Sequence, residues 1–224
     1  MEALLPVLIF IFIIPPFNYG LELDSSILDL AQDDPKLIEA IKQHYLIRPP
    51  LENEARNLSR RLDLNGQEGQ PLIIDKEILK GKIEKGFFIE AGAYDGEAFS
   101  NTLYFELKQK WTGLLVEANP DAFEELKWKK RKAWLNANCL STQNRPEMVQ
   151  FDAAGLLGGI IHNGIKPGTD EQKDGKIKVG GGMHLVIPEA TDLHPFKRKT
   201  VEKLCLPLYS LLLALGNPTV HYFR

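Results

Sequence analysis

The sequence predicts an α/β domain built on a parallel sheet, and three observations between residues 86 and 140 predict it. Phe87-Phe88-Ile89 and Leu114-Leu115-Val116 are short unbroken apolar runs, the mark of strands buried on both faces. Each is followed by a stretch of helical character, Ala98 to Lys110 and about Ala122 to Lys132. A third strand, Ala133 to Leu140, completes a strand–helix–strand–helix–strand series, the pattern of parallel strands joined by right-handed crossovers.

The elements before this core follow in order. Leu4 to Phe17 is uncharged and apolar and closes on Pro15-Pro16. It is shorter than the roughly 20 residues that span a bilayer and fits a signal-peptide core of about 7–15 residues. A cleaved signal over residues 1–20, an uncleaved signal-anchor and a buried core segment stay open, the first favoured by length. Residues 21–71 read as a helical arm and linker. Asp33-Asp34-Pro35 is a helix start, and Leu37, Ile38, Ile41, Tyr45 and Leu46 recur at helical spacing. That apolar stripe is expected to dock on its own domain rather than on a partner. Pro49-Pro50 end the helix, and polar residues 51–71 form the linker. The domain proper is assigned to residues 72–224.

Within the core, Trp111-Thr112-Gly113 ends the first helix and Asn119-Pro120-Asp121 starts the second. In that second helix acids come early and bases late, as the helix dipole favours. Lys127–Lys132 reads as a solvated helix end. Residues 151–200 carry many glycines among Lys and Asp and read as hairpins with long loops.

Composition limits the function. The chain has 224 residues, 27 Lys+Arg against 30 Asp+Glu, 44% hydrophobic and 25% charged residues, an ordinary globular balance. A net charge of −3 lacks the basic excess of a nucleic-acid binder, so no nucleic-acid partner is expected. The five histidines (His44, His162, His184, His194 and His221) are scattered without metal-ligand spacing, and no metal is expected. No G-x-S-x-G nucleophile elbow and no phosphate-binding Gly-Lys-Ser/Thr signature occurs. Asn57-Leu58-Ser59 is a glycosylation sequon. Cys139 and Cys205 pair in an oxidising compartment or stay as two buried thiols; both readings are open.

Ligands of an open parallel sheet bind outside the carboxyl ends of its strands. Gly92 and Gly96 follow the first strand and Glu117 ends the second. Glycines there allow a tight turn and close approach of a ligand. An acid at the end of the second strand suits two hydroxyls of a ribose. Without the full G-x-G-x-x-G fingerprint, a nucleoside lacking a pyrophosphate is the expected ligand. A simple turn glycine and a solvated strand end are the alternatives for Gly92 and Glu117.

Four stretches carry a resemblance: Glu90-Ala-Gly-Ala-Tyr-Asp-Gly96, Ser100-Asn-Thr-Leu-Tyr104, Trp111-Thr-Gly-Leu-Leu-Val-Glu117-Ala-Asn-Pro120 and Cys139-Leu-Ser141. They resemble the FkbM-type class I methyltransferase domain, and more narrowly its Star-like animal subgroup. Asp34-Pro-Lys-Leu-Ile38 and Cys205-Leu-Pro-Leu-Tyr-Ser210 are also similar to that subgroup, so the likeness covers most of residues 33–220. The resemblance implies a Rossmann-like class I methyltransferase sheet, incomplete at its C-terminal half and preceded by the helical arm. It implies an S-adenosylmethionine pocket. The loop containing Glu90, Gly92, Tyr94, Asp95 and Gly96 would wrap the methionine and ribose. Glu117 would hold the ribose hydroxyls, Asn119 would lie near adenine, and Cys139 and Ser141 would complete the adenine wall.

One departure weighs against turnover. The family's next strand continues as D-Y-F-S-L-D-V-E-G-A-E, whereas here Thr219-Val-His221-Tyr-Phe-Arg224 puts His221 where the pattern prefers Asp, and the acidic strand end does not follow. Two functions remain: a Star-like factor of secretory and endosomal traffic (endoplasmic reticulum, Golgi, endosome or secreted) with little or no catalysis, and an S-adenosylmethionine-dependent methyltransferase of unknown acceptor. The first implies protein cargo or a membrane-protein partner, with membrane association through residues 4–17.

Overall fold

The computed structural model describes residues 25–59, 62–162, 164, 177–179, 183–185 and 199–224. The expected signal or anchor over residues 1–20 lies outside them. Among the described residues, no helix is long and apolar enough to cross a membrane.

The fold is mixed α/β around a four-stranded parallel sheet. Strands β1 (Phe87–Ala91), β2 (Thr112–Val116) and β3 (Trp134–Asn136) lie side by side in that order. The last strand of the chain, β10 (Tyr222–Phe223), pairs in parallel with the other edge of β1, Phe88 opposite Tyr222. The spatial order is therefore β3-β2-β1-β10, and its direction reverses between β1 and β10. That order is compatible with a Rossmann-like sheet, whose ligand crevice lies at this reversal.

Burial on both faces explains the unbroken apolar runs. On one face Phe87, Ile89, Leu114 and Val116 pack against Leu37 and Ile41 of the arm and Leu211 and Ala214 of helix α5 (Leu208–Ala214). On the other, Phe88 and Leu115 pack against Phe105 of α3 (Leu103–Lys108) and Phe123 and Leu126 of α4 (Pro120–Lys129). The arm docks on its own domain, as its stripe predicts. Helix α1 (Pro35–Ala40) starts at Asp34, whose side chain accepts the Lys36 N–H at 2.8 Å, and a π-helical turn, Ile41–Tyr45, extends it. Leu37 and Ile41 are fully buried.

Several elements differ from expectation. Among the described residues before the arm helix, a short 3-10 turn, Ser25–Ile27, is the helical element. The linker ends in a helix absent from the sequence reading: α2 (Gln70–Ile73) runs into a π-helical segment, Ile74–Leu79. The helix expected from Ala98 begins only at Leu103, because Phe99 is left-handed (φ 59°) and Ser100 to Thr102 are drawn into side-chain bonds. The strand expected over Ala133–Leu140 breaks in two. β3 stays in the parallel sheet, while β4 (Cys139–Ser141) joins a second sheet with β9 (Lys199–Pro207), β5 (Glu147–Ala153) and β6 (Gly159–Ile160). β5 and β6 form an antiparallel hairpin, as do β7 (Ile177–Val179) and β8 (Met183–Leu185). The glycine-rich region thus does form hairpins, and most of its loops lie outside the described residues. Lys127–Lys132 is not simply a solvated end: Arg131 and Lys132 are 1% and 6% exposed.

β4 and β9 are parallel neighbours with Cys139 opposite Cys205, and the two cysteines form a disulfide. It packs with Ala118, Phe151 and Ala153. The second sheet is thereby anchored beside the carboxyl end of β2.

Candidate nucleoside site at the carboxyl ends of β1 and β2

The loop after β1 is shaped by left-handed residues: Gly92 (φ 78°), Tyr94 (φ 53°), Gly96 (φ 79°) and Phe99 (φ 59°). At Gly96 the cause is packing. A Cβ there would run into Leu126 Cδ1, with Arg131 Cγ at 3.5 Å. At Gly92 nothing among the described residues lies within 4 Å of where a Cβ would stand, so they leave space over the turn for a ligand. Tyr94 adopts a conformation that costs about 1–3 kcal/mol in a non-glycine residue. Its N–H donates to Glu117 Oε2 at 2.7 Å, which holds it there.

Glu117 ties the two loops together. Its Oε1 accepts the Asn119 N–H at 2.7 Å while Oε2 accepts that of Tyr94. With the Ala118 N–H also directed at it, the carboxylate keeps about one acceptor site for a hydroxyl donor. Burial pushes the Glu117 carboxyl above the usual carboxylate range, and the N–H groups of Asn119 and Tyr94 and the charge of Lys203 oppose that rise. Tyr94 is buried beside Asp95, Glu125 and Glu117, and its phenol is pushed up to about 12.

Asn119 caps α4, its side-chain oxygen accepting the Asp121 N–H at 3.0 Å. The residue is 2% exposed, yet its Nδ2 has no hydrogen-bond partner among the described residues. Asn138, between β3 and β4, likewise leaves its Nδ2 without one. Leaving a buried donor unsatisfied costs about 1–3 kcal/mol, and a ligand acceptor would remove that cost.

Glu90 faces inward rather than into the open space. Its carboxylate accepts Ser100 Oγ, Thr102 Oγ1 and the Asn101 N–H, each at 2.7 Å. The same two hydroxyls accept from Arg131, Nη1 to Ser100 at 3.2 Å and Nη2 to Thr102 at 3.1 Å. Ser100-Asn101-Thr102 is therefore a hydroxyl bridge between a buried acid and a buried guanidinium. Arg131 also donates from Nε to Glu106 Oε2 at 2.7 Å and from Nη1 to the Gly96 carbonyl. Sequence reasoning missed Arg131 because it sits in a lysine-rich run.

Asp95 closes its own turn, Oδ1 accepting the Glu97 and Ala98 N–H groups. It lines a cavity of about 210 Å³ with Ser59, Asp63, Glu97, Phe99 and Lys129. Ser141 belongs to a different turn: its Oγ lies 2.7 Å from Glu147 Oε1 and accepts the Gln143 N–H at 3.0 Å. Cys139 shares an apolar cluster with Ala118, between Glu117 and Asn119, but as half of the disulfide. The structure thus brings Gly92, Tyr94, Glu117 and Asn119 together, and commits Glu90, Asp95, Gly96 and Ser141 to contacts of their own.

His221 lies at the opposite end of the sheet. Its N–H donates to the Phe87 carbonyl at 2.9 Å and its Nδ1 accepts the Phe87 N–H at 3.1 Å. Asn57 is exposed, its Nδ2 donating to the Trp128 carbonyl at 2.9 Å. Among the described residues, no cluster of three or more His, Cys, Asp or Glu side chains is placed to hold a metal ion.

No family model, no curated protein and no solved structure matches this chain.

Proposed function

We propose that this chain is a nucleoside-binding α/β domain of the FkbM methyltransferase type, with S-adenosylmethionine as the ligand its site fits best. The sheet order carries this reading: with β10 beside β1, the strand order reverses at the point where nucleoside cofactors bind in such sheets. The residues present fit the group. Open space over Gly92 admits it, Glu117 retains an acceptor site for a ribose hydroxyl, and the free Asn119 amide offers a donor to a ring nitrogen. When bound, the cofactor supplies an activated methyl group.

The same residues favour binding over turnover. Glu90 is spent on Ser100, Asn101 and Thr102, and Asp95 on its own turn with Lys129 3.8 Å from Oδ2. Neither is free to serve as a base. The proposed role is therefore that of a Star-like factor of secretory traffic acting through protein partners, with the methyltransferase as the alternative.

The test is calorimetric titration of the full chain with S-adenosylmethionine, beside Glu117→Gln. Micromolar binding that is weakened in the variant is expected. Absence of binding by a chain that melts cooperatively would overturn the cofactor reading. Robust methylation of a protein or glycan acceptor would overturn the non-catalytic one.

A further inference from the structure

We infer that Lys203, reaching in from β9, is a specificity-determining residue of this nucleoside site: it acts as the charge partner of Glu117 and donates to an acceptor atom of the bound base. The inference rests on the nucleoside reading above and adds to it a residue outside the resembling motifs.

Position comes first. Val201, Lys203 and Cys205 alternate onto one face of β9. Val201 and Cys205 pack with Ala118 and Cys139, so the residue between them is carried to the carboxyl end of β2. There Lys203 Nζ donates to the Ala137 carbonyl at 2.9 Å. An ammonium has three donors, and no other hydrogen bond or ion pair engages Lys203 among the described residues. Asn138, next to Ala137, has its own unpartnered Nδ2, as does Asn119. Three residues from three segments therefore bring unused N–H donors to the surroundings of Ala118, where Glu117 is the acid. A donor surplus of this kind matches a purine base, whose ring nitrogens are acceptors.

Electrostatics agree. Burial pushes the Lys203 ammonium below the usual lysine range; Glu117 opposes the change and Lys199 adds to it. Burial pushes Glu117 up, and Lys203 is the cation that opposes this. Tyr94, whose N–H donates to Glu117, faces Asp95 and Glu125 as well as Glu117, and Lys199 faces Lys203. Both shifts run in the direction burial imposes, so each charge is held at a cost, and the two act on each other without a direct ion pair among the described residues, an arrangement that is weak as a stabilising device. A ligand-directed role accounts for keeping it.

The test titrates the full chain, wild type, Lys203→Met and Lys203→Arg, with S-adenosylmethionine and with adenosine from pH 6 to 8.5. Lys203→Met is expected to weaken both ligands about tenfold, the ratio set by one charge-assisted hydrogen bond. Its loss should deepen toward pH 6, because Glu117 without its cation protonates at higher pH. Lys203→Arg should restore most of the affinity and flatten the profile. Should Lys203→Met fail to melt cooperatively, Lys203→Gln gives the same comparison. Unchanged affinity and pH profile in a folded charge-free variant would overturn this inference and leave the nucleoside reading standing. A wild type that binds neither ligand would overturn both.

Discussion

Removing Arg131 should cost more stability than any other single truncation outside the apolar core. The guanidinium is 1% exposed and serves Glu106, Ser100, Thr102 and the Gly96 carbonyl together. In Arg131→Ala, Glu106 stays buried with the Lys132 N–H at 2.9 Å and Arg56 Nε at 2.5 Å, and Arg56 is 27% exposed. Breaking a buried pair costs about 3–5 kcal/mol, a large share of the roughly 5–15 kcal/mol that holds a domain folded. At about 2–4 °C per kcal/mol for a chain of this size, the melting temperature should fall by roughly 6–20 °C. The deficit should also depend on pH. Burial alone would raise the Glu106 carboxyl, but the Arg131 charge, the Lys132 N–H and Arg56 outweigh burial and hold it below the usual range. A lowered folded pKa contributes stability above the unfolded value of about 4.3, which is lost as pH falls through the folded pKa. Without Arg131 the carboxyl titrates higher, so protonation relieves part of the variant's deficit as pH falls from 7 toward 4. Calorimetry of both proteins at pH 7.5, 6 and 5 measures this. A deficit under about 1 kcal/mol, or one that does not shrink with acid, would refute the assignment of Arg131 as the lock of this loop.

Three further outcomes are expected. Gly96→Ala combines a left-handed backbone with a collision against Leu126 and should destabilise by about 2–4 kcal/mol in urea unfolding; a neutral result would mean the turn reshapes freely. Opening the disulfide by Cys139→Ala with Cys205→Ala should cost about 4 kcal/mol on chain-entropy grounds for a separation of 66 residues, and dithiothreitol should lower the melting temperature of the wild type but not of the double variant. Spectrophotometric titration should show a tyrosine ionising near 12 that disappears in Tyr94→Phe; its persistence in that variant would assign the raised phenol elsewhere.

The parts of the fold most legible in the sequence are those where local pattern and tertiary burial agree. Phe87-Phe88-Ile89 and Leu114-Leu115-Val116 are apolar at every position because helices cover both faces of β1 and β2. Asp34-Pro35 and Asn119-Pro120 mark helix starts because capping is local chemistry. The helix over residues 70–79 was not legible because the exposed apolar residues Leu72, Ile73 and Ile78 blur the face that Pro71, Ile74 and Leu79 turn to the core. Gly92 and Glu117 were visible through strand-end logic, and Tyr94 and Asn119 only through the family resemblance. Arg131 and Lys203 were not, since nothing local distinguishes a buried cation from a solvated one.

By itself the sequence determined β1, β2 and the start of β3, the helices that follow β1 and β2, where α1 and α4 begin, and that acids and glycines fall at the carboxyl ends of β1 and β2. These are consequences of residue type and short-range periodicity. Only the tertiary structure decided that β10 pairs with β1, that β4 leaves the parallel sheet for β9, and that Glu90 turns inward while Glu117 binds the N–H groups of Tyr94 and Asn119. Those outcomes depend on contacts between residues far apart in the chain, such as Glu90 with Thr102 and Cys139 with Cys205. Their energy comes from the burial and pairing of polar groups, which no single segment encodes.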